Sequence, residues 1–311
     1  CSDGLYADDW SLYNLLLGSK KYGGFLGVNA ENMPIGENMQ RQMAIEKRLT
    51  SADWPLSKPA FVEAEAVQRA CYLAKVTGGN LYIVHTSARE SVEFVEEYRR
   101  RGAPVYSETC PHYLFFDASI NARPGVGVWQ IISPPLRSKE DQEGLWKAIN
   151  NGTIQIIGSD HNAYHKGPKD EGYAEKGFLG VSNGGPGILE GLSALDSGGV
   201  RQGRMTLERL VEITSANPAK MFGLYPRKGC LMPGSDADVV IFDPNKKKVL
   251  GEHLYESMDW TVYEGMEVTG FPIYTLVRGE VVVDKGEFVG QPGSGRFIPG
   301  AMDADIVSTI R

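Results

Sequence analysis

Short continuous apolar runs alternate with amphipathic stretches through the first half of the chain. GFLGV at 24–28, LYIVH at 81–85, PVYSE at 104–108 and TIQII at 153–157 are strand-like. Between them, residues 9–22, 61–77, 89–101 and 138–150 have helical spacing. The helix ends carry matching signals: Asp8 or Asp9 as N-cap for the first, Gly78-Gly79 closing the second and Gly102 stopping the third. Ser138, with Asp141 three residues on, makes an acidic variant of a capping box for the fourth. Because the strand runs are continuous rather than alternating, they predict a parallel sheet buried on both faces. Residues 33–60 read as a polar stretch with Met and Pro, without an assigned element. Residues 159–187 read as a long Gly-rich functional loop, and 188–222 are helical again.

The pattern changes near residue 228. The segments KGCLMPGSDADVVIFDP and TLVRGEVVVDKGEFVG are β-branched runs separated by Gly and Asp, which predict antiparallel pairs. The expected organisation is therefore a β/α domain over 1–227, a β-sandwich portion over 228–290 and a C-terminal arm over 291–311.

Composition narrows the function. A length of 311 residues with 42% hydrophobic positions is enough for one large core and a smaller unit. A net charge of −7 argues against a nucleic-acid partner, because phosphate binding needs a basic face. No apolar run reaches the ~18–20 residues of a membrane span. The four cysteines, Cys1, Cys71, Cys110 and Cys230, form no Cys-x-x-Cys pair, so a reduced cytoplasmic protein is expected. The first residues, CSDGLYADDW, are acidic and polar and start without Met, which suggests processing or truncation rather than a targeting peptide.

The candidate chemistry sits where apolar runs stop. His85 ends LYIVH, and Asp160 follows IIGS. Either alone reads equally as a strand-end residue bonded to backbone or capping a turn. Placed alike on two strands, they point to a site at the strand C-termini of a parallel β/α barrel. There a carboxylate can bind a metal and accept a proton from water. The two prolines of SPPLR (133–137) fix an extended backbone, which can hold Ser133 ready for a substrate amide. Asn183 in SNGGPG can present donor and acceptor together to an imide or ureide. His112 and His165 read as surface or loop residues, and His253 as irrelevant to the chemistry. No strand–GxGxxG–helix unit exists, so dinucleotide binding is not indicated.

VNAEN (28–32), YIVHTS (82–87), ETCPHYL (108–114), SPPLR (133–137), GSDHNAY (158–164), SNGGPG (182–187), PRKGCLMPGSDADVVIFDP (226–244) and YEGMEVTG (263–270) together resemble the dihydropyrimidinase/hydantoinase branch of the amidohydrolase superfamily. The resemblance implies a TIM-like (β/α) barrel enzyme that opens cyclic amides, with a binuclear metal centre, usually zinc, and a small β-sandwich. It also implies that His85 is a metal ligand and Asp160 the metal-binding general base. Ser133 and Asn183 would then hold the substrate through main-chain groups.

Three departures follow from the same resemblance. The family's VHAEN has its ligand histidine where this chain has Asn29, and an amide oxygen is a much weaker zinc ligand than imidazole. The family's His-x-His and bridging carboxylated lysine belong to a region before residue 1, and its oxyanion-steadying tyrosine aligns with Cys1. On this alignment the chain carries barrel strands five to eight, the C-terminal half. Open strand edges predict self-association as a dimer or tetramer. The leading expectation is thus a cyclic amidohydrolase lineage, active in the complete enzyme and inactive in this chain alone. A non-catalytic scaffold and a dihydroorotase- or allantoinase-type hydrolase are the alternatives, with Arg89 a candidate for a substrate carboxylate in the latter.

Overall fold

The structure is a computed structural model that describes residues 6–252 and 258–310. Cys1 and His253, each assigned a part above, lie outside the described residues. The chain divides into two compact units, residues 1–188 with 253–263, and residues 189–252 with 264–311.

The first unit is built on a four-stranded parallel sheet in the order β1–β2–β3–β4: Leu26–Val28, Leu81–Ile83, Val105–Thr109 and Ile156–Ile157. Leu26 pairs with Leu81, Leu81 with Val105, and Glu108 with Ile156. The sheet is open, with β1 and β4 as edges, and no closed barrel is formed among the described residues. β2 is buried throughout, as its continuous apolar run predicts, whereas β1 is only partly covered. β2 ends at Ile83, ahead of the left-handed turn at His85, and β4 comprises only the last two residues of its apolar run.

The predicted helices form at Asp9–Tyr22, Ala60–Thr77, Arg89–Arg100 and Lys139–Asn150. Asp8 caps the first, Gly78 ends the second in the left-handed region, and the Ser138/Asp141 capping box starts the fourth. Leu12, Leu16, Val67 and Cys71 on the first two helices pack with Leu81 and Ile83 of the sheet. Burial of this apolar surface is the dominant favourable contribution to the fold.

Two of the longer helices stand where the sequence pattern suggested none. Met33–Ile45 forms because Asn32 accepts the Ile35 N–H as N-cap and Pro34 falls in the first turn, where its missing donor costs nothing. Lys166–Lys176 interrupts the Gly-rich 159–187 segment. Its Gly167 and Pro168 lie in the first turn, and Lys169 anchors it inward. The expected helical region 188–222 forms as two helical runs, 191–200 and 207–221, each with a π-helical stretch, 196–200 in the first and 212–216 in the second.

The second unit carries an antiparallel sheet in the order β5–β6–β7–β8: Val239–Val249, Glu267–Val277, Glu280–Asp284 and Glu287–Phe288. Arg278-Gly279 and Lys285-Gly286 are two-residue connections with positive φ at both positions, the conformation that matches strand twist in a tight hairpin. The register of β5 on β6 slips between Asp243 and Lys247, where Pro244 cannot donate to the ladder. The C-terminal stretch includes one helical turn, Ala304–Val307, and buries Val307 and Ile310. No helix among the described residues is long and apolar enough to cross a membrane.

Candidate active site at the strand ends

Backbone bonds between successive strand ends set the site's frame. Val84 N–H donates to the Val28 carbonyl (3.2 Å), Thr86 N–H to Glu108 (2.7 Å), and Gly158 N–H to Thr109 (3.0 Å). These bonds bring Asn29, His85 and Asp160 to the same end of the sheet. His85 and Asp160 both have positive φ, 38° and 46°. A side-chain-bearing residue in that region costs roughly 1–2 kcal/mol, so surrounding contacts must hold each turn.

The imidazole of His85 is buried, and its Nδ1 has no hydrogen-bond partner. Burial pushes the Asp160 carboxyl above its ordinary range, opposed by the pull of His85 and the Asn162 amide. Beneath them lies Glu108. Its Oε1 accepts the His85 backbone N–H at 3.2 Å, and its Oε2 accepts the Tyr82 hydroxyl. Burial raises the Glu108 carboxyl too, against the Tyr82 hydroxyl and the His85 backbone and ring.

His112 corrects its surface reading. It is 4% exposed in the short helix Pro111–Phe115, and its Nε2 has no partner. Burial, with His85 nearby, depresses it to about 3, so the ring is neutral. His165 is exposed and faces Asp259 at 3.4 Å. Arg89 is exposed at a helix start and pairs with Glu93 at 3.6 Å.

Ser133 is held by a buried charged group. The Lys58 ammonium lies 3.0 Å from Glu31 Oε2 and donates to Ser133 Oγ at 2.9 Å. Ser133 Oγ in turn donates to Glu31 Oε2 at 2.9 Å. Burial works to raise the Glu31 carboxyl, but Lys58, Ser133 and Arg137 outweigh it and hold it below the usual range. The network continues: Arg137 donates to the Lys58 carbonyl and to Ser87, and pairs with Glu63 at 3.3 Å. Glu63 accepts the backbone N–H groups of Ser87 and Ala88 just past His85.

Asn183 is exposed on the adjoining loop. Gly184 N–H donates to the Ile131 carbonyl (3.2 Å), and Asn162 N–H to the Gly185 carbonyl (3.0 Å). The loop is thereby tied to the segments bearing Ser133 and Asp160. The structure thus gathers Ser133, Asp160 and Asn183 around one strand end, with His85 beside Asp160 and Asn29 exposed just past the edge strand β1. The sequence reading missed Glu31, Lys58, Glu63, Glu108 and Arg137. The only signal for them was charge placed next to or inside apolar runs.

A zinc ion takes nitrogen, sulfur or carboxylate donors, four in a closed site. The unpartnered His85 nitrogen and the Asp160 carboxylate fit as two of them. No group of three or more His, Cys, Asp or Glu side chains among the described residues is arranged to hold an ion. The fit is therefore partial: these residues supply part of a coordination shell.

The model of the Amidohydrolase family matches residues 74–282. A D-hydantoinase of Geobacillus stearothermophilus is 40% identical over 97% of the chain and 65% of its own length. A D-hydantoinase of Ralstonia pickettii is 38% identical over 94% of the chain and 64% of its own length. The crystal structure of dihydropyrimidinase from Brevibacillus agri NCHU1002 superposes with a TM-score of 0.93 at 37% identity, covering 97% of this chain and 66% of that one. The chain thus spans about 65% of the length of the curated relatives it matches. A family match over more than half the residues, joined to a TM-score of 0.93 at this identity, carries one conclusion: the chain belongs to the amidohydrolase family.

Proposed function

We propose that this chain carries part of the active site of a metal-dependent cyclic amidohydrolase, one that opens a hydantoin or dihydropyrimidine ring. The observation that carries the reading is the pair of left-handed turns that put His85 and Asp160 at the ends of β2 and β4. In this reading β1–β4 are strands five to eight of a β/α barrel within residues 1–227. Residues 228–290 are a β-sandwich portion and 291–311 an arm, and the enzyme is a homo-oligomer.

The main chain of Ser133 and the exposed Asn183 hold the ring amide. Ser133's side chain is already committed to Lys58 and Glu31, which leaves its backbone for the substrate. A zinc ion bound by His85 and Asp160, with Asn29 at most a weak third donor, would supply Lewis acidity. Asp160 accepts a proton as water adds to the ring carbonyl. It returns the proton to the leaving nitrogen as the C–N bond breaks. Two strong donors leave coordination unfilled, so the 311-residue chain alone is expected to be inactive.

The test is hydrolysis of hydantoin and dihydrouracil by the purified chain with and without zinc, alongside zinc titration of the His85 imidazole signal. Zinc should shift His85 with negligible turnover. Robust turnover would overturn the inactivity, and an unresponsive His85 would overturn its role as donor. Asn29 favours a second reading, a non-catalytic scaffold, and a full-length enzyme that binds the ring without opening it would establish that instead.

A further inference from the structure

Glu108 touches both of the turns on which the proposed site depends. Its Oε1 accepts the N–H of His85, a residue whose left-handed backbone takes that N–H out of the ladder of parallel strands. Its Oε2 accepts the hydroxyl of Tyr82, three residues earlier on the same strand end. Its main-chain carbonyl accepts Thr86 N–H at 2.7 Å, so one residue holds the backbone on both sides of the His85 carbonyl. Across the sheet, the carboxylate rests against Gly158, two residues before Asp160. A Cβ built there would lie 2.5 Å from Glu108 Cδ and 2.6 Å from Oε1. Only glycine admits the carboxylate at that distance. Next to it, Thr109 Oγ1 donates to the Thr86 carbonyl at 2.7 Å and the Thr109 carbonyl accepts Gly158 N–H at 3.0 Å. Residues 108–109 are therefore a bridge with the His85 turn on one side and the Asp160 turn on the other.

A carboxylate is the apt group for this place. It offers two acceptor oxygens in a fixed plane, one for a backbone N–H and one for a hydroxyl. Charge-assisted bonds of this kind are stronger than neutral ones. An aliphatic side chain of equal volume would fill the space but leave a buried N–H without an acceptor.

We propose that Glu108 is a positioning residue that clamps the His85 turn and seats the Asp160 turn against Gly158. It acts through those residues and does not itself bind substrate. The proposal rests on the reading of His85 and Asp160 as zinc donors for its purpose, but its geometry can be tested without that reading.

The test compares Glu108→Gln, Glu108→Asp and Glu108→Leu in the 311-residue chain, with 15N-histidine labelling and His85→Gln to assign the His85 signals. Hydrogen exchange of the His85 amide reports the clamp, and zinc titration of its imidazole reports donor placement. Thermal melting separates both from loss of fold. Glutamine keeps an acceptor for His85 and a donor for Tyr82, so exchange and zinc midpoint should stay within about threefold of wild type. Aspartate withdraws the carboxylate by one methylene. Both Asp and Leu variants should speed His85 exchange at least tenfold and raise the zinc midpoint by a similar factor. If Glu108→Leu fails to fold, Glu108→Asp decides. His85 exchange within twofold of wild type in Glu108→Asp overturns the clamp. A wild-type His85 that ignores zinc removes the donor reading, and the exchange comparison then still decides the clamp.

Discussion

Replacing Lys58 with Met tests whether the network beneath Ser133 is held by charge. The side chains of Lys58 and Glu31 are 3% and 2% exposed and 3.0 Å apart. At an effective dielectric of about 20, that separation corresponds to a gross attraction of about 5–6 kcal/mol, much of it offset by desolvation of both ions. Methionine preserves the length and most of the volume, so little cavity forms. What remains is the Glu31 carboxylate, buried with the Ser133 hydroxyl and the more distant Arg137, and with Oε1 still unpartnered. Removing one member of a buried pair typically costs about 3–5 kcal/mol, and that is the expected loss at pH 7. Substituting both residues, Lys58→Met with Glu31→Leu, should cost less than Lys58→Met alone, because no buried charge is stranded. The pH dependence follows from the sign of the shift. Glu31 is depressed when folded, so its contribution is present above the unfolded carboxylate pKa and is lost as pH falls through the lower folded value. In Lys58→Met the opposing cation is gone and burial raises the carboxyl. Protonation then relieves the variant, and the gap from wild type should narrow as pH drops from 7 towards about 4.5. Urea unfolding followed by tryptophan fluorescence measures this, with Trp54 beside the Lys58 ammonium at 5.6 Å as a local reporter. A variant within about 1 kcal/mol of wild type at pH 7, or a gap that does not change with pH, would refute the argument.

Lys169 is fully buried, its ammonium donating to the carbonyls of Trp129 and Ile131 at 2.9 Å each, and burial lowers its pKa to about 7. Between that value and the ordinary one near 10.5 the unfolded chain binds the extra proton, so this group makes stability rise with pH; Lys169→Met should flatten the rise between pH 7 and 9.5, and an unchanged urea-midpoint difference would count against it. Ser138→Ala removes the hydroxyl that caps Asp141 and should lower stability by about 1 kcal/mol, checked by the same unfolding curve with helix content from circular dichroism. Burial pushes Cys71 up to about 12, so a disulfide reagent should modify the part-exposed Cys230 in the native protein while Cys71 and Cys110 wait for denaturant; fast native labelling of Cys71 would contradict its burial.

Periodicity made the parallel arrangement legible, because strands buried on both faces must be continuously apolar, and β2 shows that plainly. Asp8, Gly78, Ser138 and Asp141 marked their helix ends because capping is a local hydrogen-bonding problem solved within a few residues. The helix at Met33–Ile45 escaped notice because its apolar positions are sparse and methionine-rich, and its Asn32 cap sits in what reads as a loop. Likewise, the Lys166–Lys176 helix owes its anchoring to a buried lysine bonded to carbonyls nearly forty residues away, which no local pattern encodes.

The sequence alone determined the four parallel strands with the helices at Asp9–Tyr22, Ala60–Thr77, Arg89–Arg100 and Lys139–Asn150, the antiparallel character of the later strands, and the candidacy of His85 and Asp160, since each of these is a statement about neighbours along the chain. Tertiary structure decided the rest. It turned His85 and Asp160 into left-handed strand ends joined through Glu108, and locked Ser133 between Lys58 and Glu31. It also sent His112 from an apparent loop into the interior. For the His85 turn and for Ser133 the reason is the same. A buried charge or polar atom is tolerable only with a partner, and those partners lie between 23 and 102 residues apart for the His85–Glu108 and Glu31–Ser133 contacts.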